Sequence, residues 1–286
     1  MIEIKNLKKT YGNFVAIEDF NLQLEEGKTY GILARINSGT TTIFNILCNY
    51  LLKDEGEVLI DKKTPENARD LIYICPKMEF YIGYTLRKIL TFIAKFNKEF
   101  DENYALKLCD DFKIDLDKKL NPEENVSTYT IFKTIVTICM NKKYTLLNKP
   151  EVGVSSLEIR KLSDLLLKKT KENKSTTIIH SKNVNHFFTH VDKIIIIKDG
   201  KVFLFEDKKD LKERVYSISG SLELINDAIK DKHVIAIKTL KNYSKLKIAY
   251  IMAKTKDEAR IHSNREISIK EIYQAITSSE RRIYNE

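Results

Sequence analysis

Residues 31–47, GILARINSGTTTIFNIL, join an apolar run, a loop of small polar residues and a stretch with helical period. Phosphate chemistry suits that order. Glycines let backbone N–H groups close on the anion, a helix start adds orphan donors, a lysine adds charge, and a Ser or Thr hydroxyl reaches Mg²⁺. The resulting pattern is the P-loop, G-x-x-x-x-G-K-[ST]. Here Ala34 stands at the first glycine and Thr40 at the lysine, while Gly39 and the Thr41 hydroxyl remain. Asn37, Ser38, Gly39, Thr40, Thr41 and Thr42 are the candidate nucleotide-binding residues, with Thr41 the candidate metal contact. Arg35 either supplies part of the missing charge or, as loop arginines commonly do, faces solvent. The bland alternative is a polar loop before a helix with no ligand. The rest of the chain decides between them.

The elements that must hold this loop follow from periodicity. Strands are expected at 1–4, 13–17, 20–24 and 29–33, the last running into the loop, with turns at 11–13 and 26–28. A helix is expected over 41–51, strands at 56–60 and 71–75, and helical structure from 85 to about 145, its third helix at 131–140. Buried strands at 144–147 and 176–179 flank a helix at 156–170. A short helix at 183–190 precedes a hairpin of 194–197 and 202–205. Strands alternating with helices predict an α/β fold with parallel strands. Near Val215 the texture changes to strands at 215–219, 233–240 and 247–253 with helices at 222–230 and 269–277, which predicts a small α+β appendage over 214–286.

Composition narrows the class. A chain of 286 residues, 43% hydrophobic and 31% charged, suits one large domain with an appendage. No apolar run approaches the ~20 residues that span a bilayer, and the start, MIEIK, has no apolar signal region. The net charge of +9 is spread among interleaved acidic residues, with no separate basic block. It reads as a Lys-rich solvated surface, with no nucleic-acid partner. Cys48, Cys75, Cys109 and Cys139 form no C-x-x-C pair and read as free thiols of a reducing cytosol.

Three further segments carry a resemblance. Lys9-Thr10-Tyr11-Gly12 is followed by Ala16-Ile17 and Glu26-Gly27-Lys28. Asp192 precedes the isoleucine run 194–197 and Asp199-Gly200-Lys201. Residues 268–277 form an apolar helical close. In this order, over nearly the whole chain, they resemble the nucleotide-binding subunit of an ATP-binding-cassette (ABC) transporter, and the last segment resembles the drug- and peptide-export branch. The resemblance implies an ABC-type P-loop ATPase fold over 1–213, with a mixed sheet core and a helical subdomain at about 85–140. It also implies adenine stacking on Tyr11, a membrane permease as partner, and a homo- or heterodimer with another ABC ATP-binding subunit. The implied location is cytoplasmic, peripheral on the inner face of the cell membrane.

The same resemblance locates altered positions. Lys77 stands at the family's γ-phosphate-sensing glutamine. The signature loop falls on 126–130, where Ser127 survives, both glycines are gone, and Tyr129 is expected to obstruct a partner's nucleotide. Asn148 and Lys149 stand at the Mg²⁺-binding aspartate and the catalytic glutamate, Ser155 at the dimer-contact aspartate, and Lys182 at the switch histidine. His180, two residues earlier, reads as a structural histidine. No catalytic residue is assigned, because a lysine cannot take a proton from attacking water. ATP is the expected ligand, with Mg²⁺ dependence in doubt. Three functions remain open: a permease-docked subunit with little or no hydrolysis, a fold-only scaffold or immunity-type binding protein, and an unorthodox ATPase using Arg35, Lys77 and Lys149. Convergence of Lys77, Lys149 and Lys182 would mark a cationic pocket.

Overall fold

The computed structural model describes residues 1–75, 80, 83–119, 121, 123–189, 191–240, 243–262 and 265–278. β1 (Ile2–Tyr11) and β2 (Phe14–Leu24) form a hairpin whose register pairs Tyr11 with Phe14. β1 runs well past the expected 1–4, because it pairs antiparallel with β2 as far as Tyr11 and with β4 at Ile2–Lys5 and Lys8. β2 is one strand where two were expected. It continues through Asp19 at φ 47, and the break survives only as register shifts. β3 (Thr29–Ala34) feeds α1 (Thr40–Leu47), and β4 (Glu55–Ile60) and β5 (Leu71–Ile74) follow.

The helical region comprises α2 (Leu86–Phe96), α3 (Glu102–Asp111) and α4 (Val126–Cys139). α4 starts five residues before the expected 131, so the signature-loop positions Ser127 and Tyr129 belong to its first turns. β6 (Tyr144–Asn148), α5 (Ser156–Glu172), β7 (Thr176–His180), α6 (Val184–Phe187), β8 (Lys193–Lys198) and β9 (Lys201–Asp207) complete the larger part. α7 (Lys208–Arg214), β10 (Val215–Ser221), α8 (Leu222–Ala228), β11 (His233–Leu240), β12 (Tyr243–Met252), α9 (Lys256–His262) and α10 (Ile269–Ser278) end the described chain. α7 and α9 were not anticipated. Each is seven residues of mostly charged sequence burying a single small or apolar residue, Leu211 or Ala259, so neither carries a readable period.

The main sheet has the order β5-β6-β7-β3-β8-β9, parallel except for β9. β3, β6 and β7 are buried at every residue, as strands covered on both faces must be. On one face, α1 and the antiparallel sheet β2-β1-β4 enclose Ile2, Leu7, Phe20, Tyr30 and Phe44. On the other, α4, α5 and α6 bury Phe132, Leu162 and Phe187. This is the mixed-sheet ABC ATPase architecture that the sequence led us to expect. A separate antiparallel sheet, β10-β12-β11, carries α8 and α9 over Tyr216, Ile225 and Ile251, while α10 packs on β11, β3 and α6.

Asp192 ties the centre together. Its carboxylate accepts from Thr29 N at 2.8 Å and its own N–H donates to Thr29 O at 2.8 Å, locking the start of β3 beside β8. The four cysteines form no disulfide. Among the described residues no helix is long and apolar enough to cross a membrane. In this strand order the carboxyl ends of β6, β7 and β3 lie side by side, and crevices at such ends are where open α/β sheets bind ligands.

Candidate functional site

A cavity of about 1080 Å³ opens at those strand ends. Its floor is the loop between β3 and α1. Gly39 sits at φ 88, at the N-cap of α1, and no side chain caps that helix start. A Cβ there would lie 2.7 Å from Ala16 O, so only glycine fits both the space and the left-handed backbone. Asn37, at φ 66, makes the preceding turn, and Ser38 N donates to Arg35 O at 3.3 Å. The first-turn amides of α1 therefore face the cavity with the positive end of the helix dipole, the physical basis of anion binding. Asn37, Ser38, Gly39, Thr40, Thr41 and Thr42 all line the cavity. At the lysine position, Thr40 is buried, its hydroxyl 3.3 Å from Ser38 Oγ, and it brings no charge.

The wall is a neutral network. Asn148 is 3% exposed; its Nδ2 donates to Thr41 Oγ1 at 3.0 Å and to Tyr73 Oη at 3.3 Å. With the amide so oriented, Asn148 Oδ1 accepts from His180 Nδ1 at 2.9 Å, which fixes the proton on Nδ1. The same two residues are register partners of β6 and β7. Burial, with Lys149 and Lys182 nearby, lowers His180 from 6.5 to about 4, so it is neutral at physiological pH. Lys149, at φ 55 on the turn after β6, and Lys182, after β7, also line the cavity. Among the described residues neither ammonium is held in an ion pair. Among the described residues lining the two cavities, Glu151, in a second cavity of about 330 Å³, is the one carboxylate, and it is already engaged. It accepts from Ser181 Oγ at 2.9 Å and Lys182 N at 2.8 Å.

Other expected positions fall differently. Tyr11 lines the cavity mouth with Phe14, its hydroxyl 3.3 Å from Thr42 Oγ1. Ser155 does not line the cavity. It is the N-cap of α5 in a reciprocal capping box with Glu158, its hydroxyl donating to Oε2 at 2.6 Å. Ser127 is half-buried in the first turn of α4 and lines neither cavity. The expected obstruction by Tyr129 is not met. Its ring is buried against Phe80, its hydroxyl accepts from Phe80 N, and the Lys133 ammonium lies 4.9 Å over its face. An aromatic ring in the first turns of an otherwise buried helix is drawn inward. Arg35 lines the cavity but is tied to α10, Nε donating to Ile276 O at 2.5 Å. Lys77 lies outside the described residues, so of the three converging lysines two, Lys149 and Lys182, are seen to share the cavity.

The residues fit a nucleotide's phosphates: a glycine cradle, open helix amides and two cations. They do not fit Mg²⁺. Where the metal would need a carboxylate, an amide NH₂ points at the one hydroxyl ligand, and an ammonium stands beside it.

No protein-family model matches the chain. Curated relatives do. The ABC transporter ATP-binding protein YtrB of Bacillus subtilis is 23% identical over 239 residues, 82% of each chain. The energy-coupling factor transporter ATP-binding protein EcfA2 of Staphylococcus aureus is 23% identical over 248 residues, covering 79% of this chain and 86% of that one. The chain is thus similar in sequence to ABC transporter ATP-binding subunits. The fold agrees. The dimeric structure of the bacterial ABC transporter cassette MJ0796 matches with TM-score 0.63 at 22% identity, over 72% of this chain and 98% of that one. A post-hydrolysis dimer of MJ0796 bound to ADP and Pi matches with TM-score 0.62 at 21% identity over the same shares.

Several residues that meet in the cavity carry no clear signal in the sequence. His180 was read as structural; it is, through Asn148, but it also lines the cavity. The β6–β7 register that pairs the two was not visible before the sheet order was known. Phe14 follows from Tyr11 once the hairpin is recognised. Tyr273 and Thr277, on α10, had no local signal at all.

Proposed function

We propose that this ABC cassette docks on a membrane permease for export of a drug or peptide and holds nucleotide with little or no hydrolysis. The observation that carries the reading is the bond from Asn148 Nδ2 to Thr41 Oγ1 at 3.0 Å. It places a donor where Mg²⁺ would need an acceptor, and Lys149 beside it cannot serve as a base. Cations replace the metal: Lys149 and Lys182 balance the phosphates, and the amides at Gly39 and Thr40–Thr42 cradle them. The Tyr11 ring at the mouth offers adenine a stacking face.

The likeness to a dimeric cassette supports pairing with a second ABC subunit. The resemblance of 268–277 to the export branch supports drug or peptide export, and a peripheral site on the cytoplasmic face of the membrane follows from docking on a permease. Titration of the full chain with ATP, in EDTA and then in excess Mg²⁺, tests the reading. The expected result is binding that Mg²⁺ does not tighten, with no phosphate release above buffer. Mg²⁺-dependent turnover abolished by Thr41→Ala would overturn it. Absence of ATP binding under both conditions would replace it with the scaffold reading.

A further inference from the structure

The two cavities share two residues, Lys182 and Tyr273. Tyr273 comes neither from the phosphate loop nor from a strand end. It belongs to α10, more than ninety residues along the chain from Lys182. Thr277, one turn further along the helix, also lines the larger cavity.

α10 is firmly seated there. It buries Ile269, Ile272, Ala275 and Ile276 and packs on β3, α6 and β11. Its start is closed by Ser268 and Glu271: Ser268 Oγ donates to Glu271 Oε2 at 2.9 Å and accepts from Glu271 N at 3.2 Å. Its last turn receives the Arg35 guanidinium on Ile276 O, a cation at the negative end of the helix dipole. The phosphate loop itself therefore anchors the helix.

The polar edge left over faces the cavity. The Thr277 hydroxyl is donated within the helix, to Tyr273 O at 2.9 Å. The Tyr273 hydroxyl has no hydrogen-bond partner among the described residues. Burial raises its pKa, so it remains a donor at neutral pH. It stands with Lys182 where the two cavities meet, with the Glu151 carboxylate on the smaller one; on the nucleotide reading Lys182 faces the phosphates, where donors are needed.

We propose that Tyr273 is a ligand-contacting residue of the nucleotide cavity and that α10 closes the terminal-phosphate end of a bound nucleoside triphosphate. This rests on the nucleotide reading above and assigns a binding role to the C-terminal unit. Bound triphosphate then holds α10 in place, and the position of α10 sets triphosphate affinity.

The test compares ATP and ADP binding to the full wild-type chain and Tyr273→Phe in EDTA, with hydrogen exchange of the 269–278 amides. The Phe variant keeps the ring and its packing. ATP affinity is expected to fall roughly three- to tenfold in the variant with ADP affinity unchanged. In the wild type, ATP is expected to slow exchange across 269–278 more than ADP does. If the wild type binds ATP while the variant matches it and exchange is unmoved, α10 is only a wall and this proposal fails alone. If the wild type binds no nucleotide, both readings fail together.

Discussion

β6 is five residues long and ends in two opposite electrostatic solutions. At its Tyr144 end, charges are abundant and paired. The Met1 ammonium reaches Glu26 at 2.7 Å and Asp61 at 2.6 Å, and Lys143 reaches Asp61 at 2.7 Å and Glu26 at 2.9 Å. The buried Tyr144 hydroxyl donates to Asp61 at 2.6 Å. At its Asn148 end, the buried layer is neutral, built of Asn148, His180 and Tyr73, and among the described residues the two rim cations are in no ion pair. Burying a charge is costly unless a partner comes with it. One end carries its own partners and is structural. The other has the geometry of a site whose partner arrives from solution.

The comparison is sharpest where that partner is removed or supplied. Reversing both rim cations, Lys149→Glu with Lys182→Glu, is expected to weaken ATP binding by about 3 kcal/mol, roughly a hundredfold, measured by calorimetric titration. Stability should stay near wild type, because neither ammonium supports the fold. At the paired end the outcome reverses. Asp61→Ala leaves the buried Tyr144 hydroxyl and two cations short of an acceptor and should destabilise by about 2–3 kcal/mol in urea, with nucleotide binding unchanged. Equal losses of binding and stability in both variants would erase the distinction. Gly39→Ala, forced into a left-handed backbone against Ala16 O, should cost about 2 kcal/mol of stability and disturb the cradle.

The same contrast extends to pH. His180 has a folded pKa below its unfolded value, so the unfolded chain binds the extra proton between the two. Stability should fall by roughly 2–3 kcal/mol as pH drops from 6.5 towards about 4, and His180→Gln should flatten that slope in thermal melts. Asp61 and Glu26 are held below the carboxylate range, Glu26 chiefly by the N-terminal amine and Asp61 by Lys143 and that amine against its own burial. Their contribution is present above about pH 4 and is lost as pH falls through the folded values, a further acid-side decline that Asp61→Asn should reduce.

Much of this arrangement was legible locally. Alternation and helical period placed the strands and helices that bracket the loop, and Gly39 announced a backbone that other residues refuse. Charge substitutions at 40, 148, 149 and 182 were readable against the family pattern. Misreadings arose where neighbours in space set the answer. β1 lengthened because two partners flank it. Tyr129 turned inward because its helix is buried all round. Arg35 became the anchor of a helix more than two hundred residues away.

By itself, then, the sequence determined the backbone path of the cradle and the sign of the charges around it, because both depend on residue type and short-range sterics. Only the tertiary structure decided which groups meet. The β6–β7 register made Asn148 and His180 a neutral pair, and the packing of α10 on β3 brought Tyr273 to the same cavity. Contacts between residues far apart in sequence are set by sheet order and core packing, which no local pattern encodes.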